Sequence, residues 1–409
     1  MAGFFSAPTA TRIWLAAATV LFCHVMGNQV SAQTATTPLK IGVLTDLSGP
    51  YADSGGPGSV LAAEMAALDF GGTVNGRKIE IVAGDTQNKP DAASAIARRW
   101  FENEGVSAIV DLPVTPVAFG VQALAKQLNK TVMITAAATS DFTAKTCAPQ
   151  STHWADDTHA LAAGTARELL ANGATSWQFI AVDIAFGAAL VKEASDVITA
   201  GGGTVTGTVR HPVGALDYGS QLLQAQASKA KIIGLASVGN DLVNIIKQSK
   251  EFGIGAAGDQ SLVAFLVYIT DINALGLDTA RNLVVTSSFY WDQNDQARAF
   301  AKRFFDKRQK MPTKNQAAVY ASVSHFLKAA AAAGSDEAVA VGQKMRALPV
   351  AYFGRDATVR SDGRVVFDLD VYRVKTKAAQ KAAWDYYDLI RTIPAKEAFL
   401  PVNSALCGG

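Results

Sequence analysis

The chain has 409 residues, with 37 Lys or Arg against 35 Asp or Glu, so its formal net charge at pH 7 is +2. This near balance argues against a nucleic-acid partner, because proteins that bind nucleic acid neutralise phosphates with an excess of basic residues. The length is sufficient for two domains of ordinary size.

The first 32 residues have the pattern of a secretory signal peptide. One cation, Arg12, precedes an apolar run over residues 13–26, and Val30-Ser31-Ala32 is typical of a signal-peptidase site. The run is shorter than the ~20 apolar residues that a membrane-spanning helix needs, which argues against a membrane anchor. We therefore expect cleavage after Ala32 and export of a soluble protein.

Strand-like and helix-like patterns alternate from Leu39 to Ala138. The segment that contains Ala92, Ile96 and Trp100 repeats apolar residues every four positions, so one stripe of this helix is expected to face a sheet. Such alternation predicts βαβ units and a parallel sheet. The strand-like segments are KIGVLTDL, KIEIVAGD, VSAIVDLP and TVMITAAA, and the helix-like ones are VLAAEMAALDF, DAASAIARRWFENEG and PVAFGVQALAKQL.

One hexapeptide occurs twice in almost the same letters, as GGTVNG from Gly71 to Gly76 and as GGTVTG from Gly202 to Gly207. Each copy follows a helix-like segment and precedes a strand-like one. Glycine ends helices without strain and β-branched residues favour extension, so each copy indicates a helix-to-strand joint. Because the alternation restarts after a loop near Asp157, the two copies predict an α/β fold with two similar, doubly wound parallel-sheet lobes.

The last part of the chain follows a different pattern. Three helix-like segments succeed one another between Asp295 and Leu348 with no strand between them, and we expect them to return to the first lobe. The stretch TVRSDGRVVFDLDVYRVK then predicts a hairpin with Asp362-Gly363 at its turn, which would lead the chain back to the second lobe.

We predict three crossings between the lobes, near residues 154–157, 287–291 and 360–367, which together form a hinge around one cleft. The predicted ranges are 1–32 for the signal peptide, 38–155 with 288–362 for lobe 1, 156–287 with 363–390 for lobe 2, and 391–409 for a C-terminal tail.

Cys147 and Cys407 are the cysteines that remain after removal of the signal peptide. An exported chain meets an oxidising compartment in which thiols pair, so we expect a disulfide between them that tethers the tail. Closing so long a loop stabilises a protein by ~4–5 kcal/mol in the chain-entropy model. Two free thiols are the alternative.

The sequence carries no common signature of an enzyme. It has neither a G-x-S-x-G elbow nor a G-x-x-x-x-G-K-[ST] phosphate loop, and its histidines and cysteines lack zinc-ligand spacing. The segment GGPGSV, Gly55 to Val60, imitates a dinucleotide loop, but a dinucleotide turn follows its strand directly and here DLSGPYADS intervenes. We therefore expect no catalytic residue, no metal and no cofactor, and we expect this loop, with Ser54, to border the cleft.

Two helix or loop starts in the first half are candidates for an anion site. Thr115-Pro116 supplies a capping hydroxyl and a proline at the head of a helix, where free N–H groups and the helix dipole favour an anion. An ordinary helix cap is the alternative. Ala137, Ala138 and Thr139 follow the fourth strand, and their small side chains leave the backbone amides approachable. A carboxylate bound across these two loops would need no buried counter-ion.

The second half offers two further strand ends that precede helices, at Phe186-Gly187 and at Ser237 to Asn240. Phe186 is placed to stack on an apolar ligand, although a lone aromatic residue at a strand end is also common in cores. Tyr290 and Trp291 lie at a predicted crossing, as cleft wall or as hinge packing.

Four segments together resemble the periplasmic binding proteins of ABC transporters, in the branched-chain amino acid group. They are IGVLTDLSGPYADSGGPGSVLAAEMA, AAATSDFT, AFGAAL and AKIIGLASVGNDLVNIIKQSKEFGI, and the resemblance extends over essentially the whole chain after the signal peptide. It implies a monomeric, periplasmic, two-lobed receptor of the type I fold, which closes on a small ligand and delivers it to an inner-membrane permease.

The resemblance also implies a set of ligand-binding residues. In leucine/isoleucine/valine-binding members the ligand carboxylate meets a serine before a helix and a small-small-Thr motif. Here the serine position falls on Val114 or Thr115, and the motif matches Ala137 to Thr139. The expected ligand-binding residues are Ser54, Val114, Thr115, Ala137, Ala138, Thr139, Phe186, Ser237, Phe265 and Tyr290.

Two departures from those members change the expected ligand. They have a Tyr where Phe186 stands, and an acidic residue after a late strand pairs the ligand ammonium, whereas SLVAFLVYITD has no acid before Asp271. A buried ammonium without a carboxylate partner costs several kcal/mol. We therefore expect a carboxylate without an amine, and related members take up aromatic carboxylates. Aromatic residues that suit such a ring are Phe186, Phe265, Tyr268, Tyr290 and Trp291.

Other functions remain open at this point. The ligand is alternatively a branched-chain or other aliphatic amino acid, or an amide or urea-like molecule. The protein is alternatively a sensor subunit that uses the same cleft and signals to a membrane kinase or regulator.

Overall fold

The computed structural model describes residues 37–254, 260–403 and 405. The expected signal peptide, residues 1–32, lies outside the described residues, as does Cys407. Among the described residues, no helix combines the length and the apolar composition that crossing a bilayer requires.

The first elements build one sheet. They are β1 (Leu39–Thr45), α1 (Gly56–Asp69), β2 (Thr73–Val74), β3 (Arg77–Asp85), α2 (Pro90–Glu102), β4 (Val106–Asp111), α3 (Thr115–Leu128), β5 (Thr131–Ile134), α4 (Asp141–Ala144) and β6 (Ser151–His153). The strand order is β2-β3-β1-β4-β5-β6, and all neighbours are parallel except β2. We call it the first sheet.

The next elements build a second parallel sheet. They are α5 (Thr158–Ala171), β7 (Ser176–Val182), α6 (Ala185–Ala200), β8 (Thr204–His211), α7 (Gly219–Ala227), β9 (Ile232–Ala236), α8 (Gly239–Ser249), β10 (Ser261–Ala264), α9 (Ile269–Leu275) and α10 (Leu277–Ala280). The strand order of this second sheet is β10-β9-β7-β8. This order places β7 and β9 at the centre of the second sheet. Both strands are mainly apolar, as is typical of strands that helices cover on both faces.

The remaining elements are mixed. They are β11 (Val284–Ser287), α11 (Asp295–Arg308), α12 (Lys314–Ala333), α13 (Ala338–Ala347), β12 (Val350–Tyr352), β13 (Arg355–Val359), β14 (Val365–Val366), β15 (Leu369–Val374), a 3₁₀ turn (Lys377–Ala379), β16 (Tyr387–Ile393) and α14 (Ala395–Ala398). Two small antiparallel sheets form here, β11-β15-β16 and β12-β13-β14.

The predicted hairpin is confirmed as β13 and β14. The turn between them contains Gly363 with a φ of 86°, a left-handed conformation that glycine adopts without strain. Past β14 the chain enters β15, which pairs with β11.

The two copies of the repeated hexapeptide both form the predicted helix-to-strand joint, but they continue differently. After the first copy, Asn75 and Gly76 have φ values of 49° and 75° and turn the chain from β2 back into β3. Asn-Gly is the preferred pair for such a tight turn. The second copy has Thr206-Gly207 at that place, and β8 continues through it with a register shift in its pairing with β7.

Helix α12 covers the first sheet, as the sequence predicts. It packs on α1, and Gln316 at its start donates hydrogen bonds to the Asp53 and Gly55 carbonyls at 3.3 and 3.0 Å. A Cβ at Gly58 would lie 2.2 Å from the Gln316 Nε2 atom. Small residues therefore allow these two helices to approach closely. The buried alanines of α12 include Ala317, Ala318, Ala321, Ala329 and Ala330.

The segment predicted as a tail starts in ordered structure. Residue 391 lies inside β16, and Phe399 beyond α14 is buried, with the Arg364 guanidinium 4.2 Å from its ring centroid. Cys147 is disulfide-bonded. Since Cys407 lies outside the described residues, its pairing with Cys147 stays a prediction.

Candidate ligand-binding cleft

A cavity with an empty volume of about 400 Å³ lies where loops from the carboxyl ends of the two parallel sheets meet. This is the edge at which open α/β sheets bind ligands. We call it the first cavity. Its wall consists of Tyr51, Ser54, Pro113, Val114, Thr115, Ala136, Ala138, Ile184, Phe186, Val238, Leu266, Tyr268 and Asn315.

Three helices begin at this wall without a side-chain cap. Their N-cap residues, Val114 before α3, Ile184 before α6 and Val238 before α8, are apolar and line the cavity. The first turn of each helix thus presents backbone N–H groups that no side chain of its own N-cap satisfies. Together with the positive ends of the helix dipoles, these groups favour a negative charge in the cavity.

Thr115 lines the cavity, but it is not the helix cap. Val114 is the N-cap, with extended φ and ψ of −112° and 128°, and Thr115 and Pro116 form the first two helical positions. A proline suits this first turn because its missing N–H would have no partner there. The Thr115 side chain makes no hydrogen bond to another described residue, so its hydroxyl is available to a ligand.

The loop after β5 contributes alternate residues. Ala136 and Ala138 line the cavity, whereas Ala137 packs in the core of the first sheet and Thr139 accepts a hydrogen bond from the Asp141 N–H at 3.4 Å. The Ala138 N–H donates to no other described residue. The motif therefore presents an alanine and its amide to the cavity.

From the second half of the chain, Phe186 lies where the sequence predicts. It occupies the second position of α6, is buried and forms an apolar wall with Leu266.

Three other predicted residues do not line the first cavity. Ser237 is buried beside it, with its hydroxyl 2.7 Å from the His211 Nε2 atom, and its neighbour Val238 takes the wall position. Phe265 stacks on Phe179 at 6.1 Å within the core, because side chains alternate near a strand end and Leu266 faces the cavity instead. Tyr290 lines a separate cavity.

No charged side chain belongs to the wall of the first cavity. Its polar groups are hydroxyls and one amide, and the amide Nδ2 of Asn315 donates to the Tyr268 hydroxyl at 2.9 Å. Asn315 and Tyr51 belong to this wall, although the sequence pattern did not predict them as site residues. The helix start TKNQ, with its cap-box residues Thr313 and Gln316, is the signal that would have placed Asn315 near the cleft.

Asp271 is the acid closest in sequence to the missing ammonium partner, and it serves another purpose. Its carboxylate accepts a hydrogen bond from the Tyr268 N–H at 2.9 Å and caps α9. Burial raises the pKa of Asp271 to about 7. A second buried acid, Asp111 at the end of β4, also has its pKa raised by burial, to about 6. Neither residue lines the first cavity.

Loops from the two sheets touch directly beside the first cavity. Gly239, with a φ of 62°, leaves so little space that a Cβ there would lie 3.0 Å from the Pro50 carbonyl oxygen. The Ser140 hydroxyl donates to the Glu193 carboxylate, which joins the loop after β5 to α6. Val238 packs against the apolar cores of both sheets. These contacts join loops from the two sheets near the first cavity.

Solved structures of the same fold are similar over nearly the whole chain. A periplasmic binding protein from Burkholderia mallei has a TM-score of 0.88 and 41% identity, with 90% of this chain and 98% of that chain covered. A branched chain amino acid ABC transporter periplasmic ligand-binding protein from Burkholderia xenovorans has a TM-score of 0.80 and 36% identity, with 90% and 99% covered. The predicted α/β fold of the type I periplasmic binding proteins is thereby confirmed.

A curated relative is more distant. Leu/Ile/Val-binding protein homolog 6 from Brucella melitensis is 26% identical over 241 residues, which are 58% of this chain. The match spans 61% of the relative, so the chain covers about three fifths of the length of the curated relatives that it matches.

A family model described as periplasmic binding protein matches residues 38–380. Members of this family and the similar structures are solute-binding proteins, which confirms the expectation that the chain is not an enzyme. The chain belongs to the periplasmic binding protein family.

Proposed function

We propose that the chain is an extracytoplasmic receptor of an ABC importer, which binds a small aromatic carboxylate without an amine in the first cavity. The observation that carries this proposal is the meeting of three uncapped helix N-termini at a wall without charged side chains.

A carboxylate fits this wall because its charge is satisfied by backbone dipoles. The Ala138 N–H and the Thr115 hydroxyl, neither paired with another described residue, are donors at one side of the cavity. Hydrogen bonds from N–H groups to an ionised carboxylate are about twice as strong as those between neutral groups. Ala138 and Thr115 are thus the residues to which we assign carboxylate binding.

An ammonium group fits the same wall poorly. Asp271 is engaged at the start of α9 and lies outside the wall, and the wall contains no acid. An α-amino acid would bury its ammonium against hydroxyls and apolar groups, which costs free energy that a carboxylate partner normally offsets.

The remaining wall is apolar or aromatic and suits a flat ring. Phe186 and Leu266 lie on one side, and Tyr51 belongs to the loop after β1. One solved protein of this fold, from R. palustris, is in complex with benzoate, but its 17% identity makes it evidence of the fold alone. The Burkholderia xenovorans protein is described as the periplasmic ligand-binding protein of a branched chain amino acid ABC transporter, which favours the alternative of an aliphatic amino acid. The uncharged wall supports the aromatic acid over this alternative.

Closure of two lobes around the ligand is the working step that we propose. In this proposal residues 38–155 with 288–362 form one lobe and residues 156–287 with 363–390 the other, and the protein acts as a monomer in the periplasm. An inner-membrane permease then receives the ligand. A membrane sensor would use the same cleft, and co-purification with a permease or with a kinase distinguishes the two.

Thermal unfolding of residues 33–409 with matched ligands tests the proposed ligand class. A ligand that binds only the folded protein adds ~2.7 kcal/mol of stability at a hundred times its dissociation constant. We expect benzoate-type acids to raise the unfolding temperature and benzamide, which keeps the ring but lacks the charge, to leave it unchanged. A shift with leucine or valine and none with aromatic acids would contradict the proposal.

A further inference from the structure

A second cavity, with an empty volume of about 240 Å³, adjoins the first. Its wall combines apolar and aromatic side chains with polar groups that include those of Ser287, Lys314 and Tyr387. The predicted site residue Tyr290 belongs to this wall. The full set is Val267, Tyr268, Ile269, Ser287, Phe289, Tyr290, Trp291, Pro312, Lys314 and Tyr387.

Tyr268 lies between the two cavities, since it is part of both walls. The first turn of α12 borders both as well, with Asn315 in the first wall and Lys314 in the second. The Tyr268 hydroxyl accepts a hydrogen bond from Asn315 at 2.9 Å, and the Lys314 Nζ atom lies 5.8 Å from the centre of its ring. The ring of one tyrosine thus borders both spaces.

The hydroxyl of Tyr387 is buried without a hydrogen-bond partner among the described residues. Tyr387 is 6% exposed, so bulk water does not compensate this group. The hydroxyls of two neighbouring tyrosines do have partners. Tyr290 donates to the Trp384 carbonyl at 3.3 Å, and Tyr386 donates to the Asn273 side chain at 2.7 Å. Leaving a buried hydroxyl unpaired costs free energy, which a polar atom of a bound molecule would recover.

Lys314 supplies a second donor. Its ammonium pairs with the Asp156 carboxylate at 3.0 Å and donates to the Thr286 carbonyl at 3.1 Å, which uses two of its three N–H groups. Because Asp156 balances the charge, the second cavity favours a neutral hydrogen-bond acceptor over another carboxylate.

We propose that the second cavity is a further compartment of the ligand site, which takes the distal hydroxyl or carbonyl group of an elongated aryl carboxylate. The ligand's acid end lies at Thr115 and Ala138, the ring of Tyr268 turns aside, and the distal group pairs with Tyr387 and Lys314. This inference rests on the proposed function and specifies the length and the second polar group of its ligand.

Calorimetric titration with two acids that differ by one hydroxyl tests the inference. 3-Phenylpropanoate and 3-(4-hydroxyphenyl)propanoate are titrated into the wild type, into Tyr387→Phe and into the matched control Tyr386→Phe, whose hydroxyl pairs outside the cavity. We expect the hydroxyl to improve affinity about fivefold in the wild type and in Tyr386→Phe, the gain typical of one hydrogen bond. The gain is lost in Tyr387→Phe.

Several results would overturn the inference. An equal gain in Tyr387→Phe would place the ligand hydroxyl elsewhere, and no gain in the wild type would leave the second cavity to water. If benzoate binds and both longer acids fail to bind, the second compartment is excluded while the proposed function stands. If no acid of the set binds, both proposals fall. The wild-type comparison decides even if a variant does not fold.

Discussion

At the scale of residues, the proposed affinity of the first cavity for an anion depends on the residues at three helix starts. Val114, Ile184 and Val238 are poor caps, and a poor cap leaves N–H groups for a ligand at the expense of helix stability. This opposition between stability and binding makes the proposed role testable with one substitution.

Val114→Asp is expected to abolish acid binding. An aspartate at the N-cap would accept hydrogen bonds from the first turn of α3, but this gain of about 1 kcal/mol is offset because the apolar Val114 side chain that it replaces is buried. The same carboxylate would occupy the anion site and repel the ligand. Chemical denaturation measures the stability of the variant, and calorimetry measures its acid binding.

Val114→Thr is the matched control for that substitution. It keeps the shape and adds a capping hydroxyl without charge, so acid binding should weaken much less. If Val114→Asp binds acids as well as the wild type, the N-terminus of α3 is not part of the site.

Glu193 predicts a pH dependence of stability. Burial and then the nearby Asp157 raise its pKa from 4.5 to about 7, and Asp141 acts in the same direction. The folded state therefore holds a proton that the unfolded state has already lost, so this group's contribution to stability falls as pH rises from about 4.5 through 7. Glu193→Gln removes that loss.

The measurement is the unfolding temperature of the wild type and Glu193→Gln between pH 5 and pH 8. We expect the unfolding temperature of Glu193→Gln to rise relative to that of the wild type as pH rises, because Gln has no proton to lose. Gln also keeps an acceptor for the Ser140 hydroxyl. Glu64→Gln, a change at an exposed glutamate of α1, is the control and should show no such trend. A pH-independent difference would exclude the buried carboxylate as the cause.

At the scale of elements, we propose that the contact between the loop after β1 and the start of α8 contributes to closure. Gly239→Ala would place a methyl group 3.0 Å from the Pro50 carbonyl and force a positive φ on alanine. Gly173→Ala forces only the positive φ on alanine, since the φ of Gly173 is 85° and no atom lies within 4 Å of a Cβ there. Each change should lower stability by about 1 kcal/mol.

We expect only Gly239→Ala to weaken ligand binding as well, because only this methyl group separates the two loops. Small-angle scattering with saturating acid should show less compaction for this variant than for Gly173→Ala. Equal compaction of the two variants would mean that the contact at Gly239 does not contribute to closure.

Hydrophobic periodicity predicts the helices and strands from the sequence. The alternation of strands and helices, the hairpin at Gly363 and the return of α12 to the first sheet are confirmed, because apolar periods of two and 3.6 report which face is buried. Loops have no such period. The first cavity is lined by Ala138 and not Ala137, and by Leu266 and not Phe265. Backbone angles just past a strand end determine which residue of each pair reaches it.

The same limit explains the missed residues. Asn315 lies in a helix that the sequence assigns only to covering the first sheet, and Tyr387 comes from β16, far along the chain from the other wall residues. Long-range juxtaposition of this kind leaves no local pattern. Cap-box chemistry at Thr313 was the one local sign that a helix start lay nearby.

For the whole molecule, we propose that loops of the two parallel sheets hold a small acid between them, in a wall that has no group to neutralise an amine. The contacts at Gly239, Val238 and Glu193 all involve loops at the carboxyl ends of strands. Under this proposal, ligand selection and closure involve the same loops.

Calorimetric comparison of 3-phenylpropanoate with phenylalanine tests this claim most directly, because the two molecules share a skeleton and differ by the amine. We predict that 3-phenylpropanoate binds and that phenylalanine binds at least a hundredfold more weakly, the ratio that ~2.7 kcal/mol of unpaired ammonium would produce. Equal or tighter binding of phenylalanine would contradict the account, since an acid would then have to reach the first cavity.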